Sequence, residues 1–229
     1  MTKNLRKTIA FTLAETLIVM GIIGVVSALT LPNLNSSTGE KEKVAKVKKL
    51  YQNLTDAYGR AVAIYGPFEQ WFINDTTAEA KAKRFGERMT EFMKVSKNCG
   101  NSAGCFSSDK FLYYDGTDWN SNYLSFLQQN KAQMYILADG TSILFFQNNI
   151  IKIDIDGPNK GKNQEGFDSF TFEIDNNNGL VPRLRTDGSG TFSQIGNHYD
   201  VTTWVIMNDN MDYLKCEDKL NWQTKTSCK

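Results

Sequence analysis

Histidine is nearly missing from this chain: His198 is the single one in 229 residues, which removes most of the usual options for a catalytic triad or a histidine-rich metal site. No G-x-S-x-G elbow and no phosphate-binding glycine loop occurs anywhere in it. Charge of one sign is also lacking, since Lys+Arg 26 against Asp+Glu 25 leaves +1, so global electrostatics points to no nucleic-acid partner. Cysteine is sparse but even. Cys99, Cys105, Cys216 and Cys228 have neither the tight spacing of a zinc knuckle nor a second histidine to help. Two short-loop disulfides fit them if the chain leaves the reducing compartment, with 99–105 and 216–228 the preferred of three connectivities.

What is present is concentrated at the N-terminus. Residues 1–10, "MTKNLRKTIA", carry Lys3, Arg6 and Lys7 and no acid, a short basic leader of the kind that precedes an exported segment. Phe11 to Leu31 follows as 21 almost continuously apolar residues, enough helix for about 32 Å. Three readings compete here. One is a signal peptide cleaved after "VVSA" at Ala28; the second is an uncleaved anchor; the third is a leader cut just before Phe11, with the apolar segment retained. Glu15 is the discordant residue, because a carboxylate in the middle of a membrane helix costs roughly 2.5–3.5 kcal/mol. Its place near one end lowers that cost without removing it.

Beyond Pro32, which should kink or locally melt a helix, the apolar positions Val44, Val47, Tyr51, Leu54, Tyr58, Ala61 and Tyr65 step by 3-4-3-4-3-4. That is one face of an amphipathic helix, with lysines between, and Gly66-Pro67 ends it. The lysine cluster 41–49 alternates with Glu40 and Glu42, so it reads as a solvated or headgroup-facing surface rather than a nucleic-acid contact. The rest turns to mixed structure. Residues 77–96 predict a second helix with Phe85, Met89, Phe92 and Met93 on one side, and 121–130 predict a short one. "QMYILA" and "TSILFFQ" flank Asp139-Gly140 as a hairpin; "IIKIDID", "SFTFEI" and "LVPRL" extend it to a four- or five-strand antiparallel sheet with Pro182 at an edge. A short helix in 200–216 would pack Trp204 and Val205 inward. A long helix followed by such a sheet is an α+β fold.

The loop "DIDGPNKGKNQEGFD" (154–168) is the most chemically interesting surface. Asp154, Asp156, Asn159 and Asp168 are hard oxygen donors among turn-forming glycines, although the spacing is not that of an EF-hand. The plainer reading is a solvated, turn-rich connection. His198 has no catalytic constellation around it.

The stretch "A/FTLAETLIVMGIIGVVSALTLP" resembles the N-terminal signature of type IV pilins and pseudopilins. The resemblance implies that a prepilin peptidase cleaves between Ala10 and Phe11 and methylates Phe11, with Glu15 as the fifth mature residue and Pro32 as the helix-softening proline. The family usually has glycine where Ala10 stands. It further implies a lollipop: a leader (1–10), a transmembrane and assembly helix (11–32), an amphipathic helix (33–66) and a globular domain (67–229). The expected partners are other pilin subunits, the peptidase, an inner-membrane assembly platform and, before assembly, the membrane. The expected location is the bacterial inner membrane, single-pass with the globular domain outside the cytoplasm, then a periplasmic or extracellular filament. In that scheme the terminal amine of one subunit neutralises Glu15 of its neighbour, and losing one member of a buried pair costs about 3–5 kcal/mol. No cofactor is required, but major pseudopilins of type II secretion bind calcium in a comparable loop, which makes Asp154, Asp156, Asn159 and Asp168 calcium candidates. The expected function is a structural subunit of a pilus or secretion pseudopilus, not an enzyme. The alternatives are a minor pilin that binds DNA or a surface ligand, and a secreted globular protein with a conventional signal.

Overall fold

The computed structural model describes residues 13–184 and 200–228, and within the first of these ranges it leaves the side chains of residues 27–38 undescribed. The chain divides into two units, the second being Lys41–Lys229. Helix α1 is assigned from Leu13 to Tyr65 with no break at Pro32. It stops where expected: Gly66 takes a positive φ of 78° and donates its N–H to the Val62 carbonyl at 2.9 Å, closing the last turn before Pro67.

Within the globular unit, the α1 face predicted by the 3-4 stepping is the one that is covered. Val44, Val47, Leu54 and Ala61 are buried, joined by Leu50 and Ala57, which the sequence reading left out. Helix α2 (Ala78–Thr90) begins at Thr77, whose hydroxyl accepts from the Ala80 N–H, and buries Phe85 and Met89. It is shorter than predicted, because the chain leaves it for strand β1 (Val95–Gly100). That strand is mostly exposed and reads "VSKNCG", so it offered no apolar alternation to find.

Among the described residues the sheet consequently has six strands, not four or five. β4 (Gln133–Leu137), β5 (Ser142–Phe145), β6 (Ile150–Asp154), β7 (Ser169–Asp175) and β8 (Gly179–Pro182) form an antiparallel meander, and β1 adds beyond β4. The β1–β4 pairing is irregular, with register shifts between Val95 and Lys97 and between Asn98 and Gly100. β8 lies at the other edge, with Pro182 opposite Phe172.

The two-residue alternation of the strands sorts the core. Ile143, Phe145, Ile151, Ile153, Phe170, Phe172 and Ile174 join the α1 and α2 residues in one cluster, and Tyr51 of α1 stacks on Phe172 with ring centroids 5.5 Å apart. Met134 and Leu144, on the alternate positions, join a smaller cluster with α3 (Tyr123–Gln129) and Phe111. Phe111 belongs to a small two-stranded sheet, β2 (Phe111–Leu112) with β3 (Asp118–Asn120). Helix α4 (Asp200–Asn208) buries Trp204 and Val205, and α5 (Tyr213–Cys216) leads into the tail. The structure is thus α+β, with an N-terminal helix packed on an antiparallel sheet.

The membrane placement is corrected. Among the described residues no helix is long and apolar enough to cross a membrane. That finding overturns the single-pass inner-membrane location with a transmembrane segment at 11–32.

Candidate functional site

The sequence-predicted residues fall in three places. Ala10 and Phe11 lie outside the described residues, as does His198, and Pro32 lies within the helical assignment with its side chain undescribed. Glu15 is in the first described turn of α1. Around it the helix is apolar on every side. Leu13, Leu17, Ile18, Val19, Met20, Ile22, Ile23, Val25 and Val26 are 53–81% exposed. Nothing lies within 4 Å of where a Cβ would stand at Gly21 or Gly24. A helix that is hydrophobic all round has its stable place inside something else. The small residue pair also permits close approach of a second helix backbone.

The second place is the 154–168 loop, which closes on itself. Asp154 Oδ1 accepts the N–H groups of Asp156 (3.0 Å) and Gly157 (3.1 Å). Buried Asp168 accepts from Lys162, from Asn163 at 3.1 Å and from Gln164 at 2.6 Å. Gly161 is needed there: its φ is +81°, and a side chain would collide with the Asp168 carboxylate. Burial, then the charge of Asp168, pushes the Asp154 carboxyl up to about 8, and burial raises Asp168 as well. Helix α1 brings two lysines to this loop, beside its own Lys162, which lies 4.3 Å from the Phe167 ring centroid. Lys43 pairs with Asp156 Oδ2 at 3.0 Å, donates to the Phe167 carbonyl at 3.3 Å and sits 3.8 Å from the Phe167 ring centroid. Lys46 donates to the Ile155 carbonyl.

The loop therefore brings Asp154, Asp156 and Asp168 together but commits Asp154 Oδ1 and both Asp168 oxygens to backbone N–H groups and Asp156 Oδ2 to Lys43. Asn159 is exposed and lines an open groove of about 360 Å³ beside Gly104 and Ser107. Among the described residues no group of three or more His, Cys, Asp or Glu is arranged to hold a metal. Lys43 and Lys46 were read from sequence as solvated surface; their 3-residue spacing on one helix face is the signal that was available, but not its target.

The third place is the disulfides, which have the predicted pairing: Cys99–Cys105 and Cys216–Cys228. The first closes a ring that ends strand β1. The second ties the tail to α5, where the Cys228 N–H also donates to Asp212 Oδ2 at 2.8 Å. The sequence reading missed one buried ion pair, Lys152–Glu165, at 2.6 Å and 8% and 1% exposed. Glu165 also accepts from the Thr171 hydroxyl at 2.9 Å. Burial works against the Lys152 charge, and Glu165 with Tyr123 more than offsets it. A lysine between isoleucines in "IIKID" was its only mark.

Comparison with family models, with curated proteins and with solved structures gives no match.

Proposed function

We propose that this chain is a structural subunit of a type IV pilin-like filament, of the pilus or secretion-pseudopilus kind, and that it polymerises through the N-terminal part of α1. The observation that carries the reading is the all-round exposure of apolar side chains from Leu13 to Val26 beside a single acid, Glu15. Burying one such side chain is worth about 1.5–3 kcal/mol, so nine of them make a strong drive toward helix-on-helix association. In this reading the chain is cleaved between Ala10 and Phe11 by a prepilin peptidase, and the amine of Phe11 in one copy pairs with Glu15 of the next. The pairing fixes axial register, a role for which a buried charge is well suited. Two disulfides fit life in an oxidising compartment. The chain has no catalytic role of its own here.

The test is the mature N-terminus together with assembly. Mass spectrometry of the protein from its native host should find N-methyl-phenylalanine at residue 11; a chain beginning at Leu29 would sink the proposal. Glu15→Ala should be processed yet fail to enter filaments, and normal filaments from it would remove the register argument.

A further inference from the structure

On the sheet face turned away from α1, the small module of α3 and β2–β3 covers only part of the strands. A groove of about 250 Å³ opens where that cover stops, lined by Trp119, Phe126, Asn130, Phe146, Gln147 and Asn148. Its aromatic wall has Trp119 and Phe126 nearly perpendicular, ring centroids 4.8 Å apart. The backbone that carries its amide rim is held in place. Gln147 and Asn148 ride the tight β5–β6 turn, closed by the Phe146 N–H to Ile150 carbonyl bond at 3.0 Å. Asn149, at φ +65°, anchors the same turn by donating from Nδ2 to the Ile174 carbonyl at 2.6 Å.

The charged groups at the base are already neutralised. Lys152 is spent on Glu165, and Arg183 has Glu173 at 3.6 Å. A groove with aromatic side chains, side-chain amides on a held turn and no surplus charge suits a ligand that is apolar on one face and ringed with hydroxyls, without charge of its own. The volume is below the roughly 300–1,000 Å³ of drug-sized pockets, so it accommodates one ring and not an extended chain. We propose that this groove binds a single neutral pyranose ring of a glycan. The C–H face of the sugar lies on the Trp119–Phe126 wall, and its hydroxyls meet Gln147, Asn148 and Asn130. The site lies within the globular unit and is independent of the filament reading.

Saturation-transfer NMR on the purified full chain tests this, with the methyl glycosides of glucose, galactose, mannose and N-acetylglucosamine as probes. At least one should show saturable transfer to its ring C–H protons. Trp119→Leu should abolish it. The Gln147→Ala/Asn148→Ala pair, at exposed positions and with unchanged melting, should weaken it at least about tenfold. Three results overturn the proposal: no saturable transfer with any of the four, binding confined to charged sugars or short peptides, or parental affinity in the double variant.

Discussion

Two stretches of the same helix teach more than either alone. From Val44 to Ala61, α1 alternates apolar with charged positions, and its apolar stripe is buried against strands and α2. From Leu13 to Val26 the same helix has no polar face to speak of, and its large side chains are open. Amphipathic patterning commits a helix to one neighbour on one side. Uniform patterning leaves it without a preferred side, which suits a site that many identical helices surround. In the proposed filament, the difference separates a fold-stabilising stretch from an association stretch of the same helix.

That contrast can be broken or sharpened by measurement. The largest expected effect is in the covered unit. Lys152→Met should cost about 3–5 kcal/mol in urea unfolding by stranding Glu165, and Lys152→Met with Glu165→Leu should recover most of it. Next, Leu54→Ala should cost about 2–5 kcal/mol. Ile22→Ala, its counterpart in the open stretch, should leave the melting of the globular unit within about 0.5 kcal/mol while weakening filament assembly. Equal destabilisation by the two would erase the distinction. Cys216→Ser should lower stability by about 2–3 kcal/mol through the freed tail.

A pH profile comes after these. The folded Asp154 carboxyl sits at about 8 and its ordinary value is 3.8, so between those limits the folded state keeps a proton that the unfolded chain has released. Its stabilising contribution is complete below pH 4 and is lost as pH rises through 8. Asp154→Asn should flatten that decline in melting temperature; a parent profile that does not fall across this window would contradict it. Smallest of all, Arg60→Ala breaks an exposed pair with Asp56 and should shift unfolding by less than about 0.5 kcal/mol.

Much of this architecture was legible because its signals are periodic or local. The 3-4 stepping of Val44–Ala61, the Asp139-Gly140 hairpin and the short cysteine spacings each depend on near neighbours in sequence, and each recurs in the structure. What escaped is what depends on distant partners. Strand β1 is a strand because β4 pairs with it, not because "VSKNCG" is apolar. Lys43 meets Asp156 across 113 residues, and the oxygens of the 154–168 loop have backbone donors that no spacing rule reveals. The aromatic groove combines α3, β3 and the β5–β6 turn, and so belongs to the topology more than to any motif.

The two borders of the sheet have a consequence for a protein proposed to gather in many copies. Unpaired strand backbones in close array would zip together into β-aggregates. Here one border is interrupted by two register shifts and ends in a disulfide ring, and the other carries Pro182, which has no N–H to offer. Neither border is a good template for another strand. Crowded copies of this chain are thus discouraged from joining sheet to sheet, which in the proposed filament leaves self-recognition to the helix.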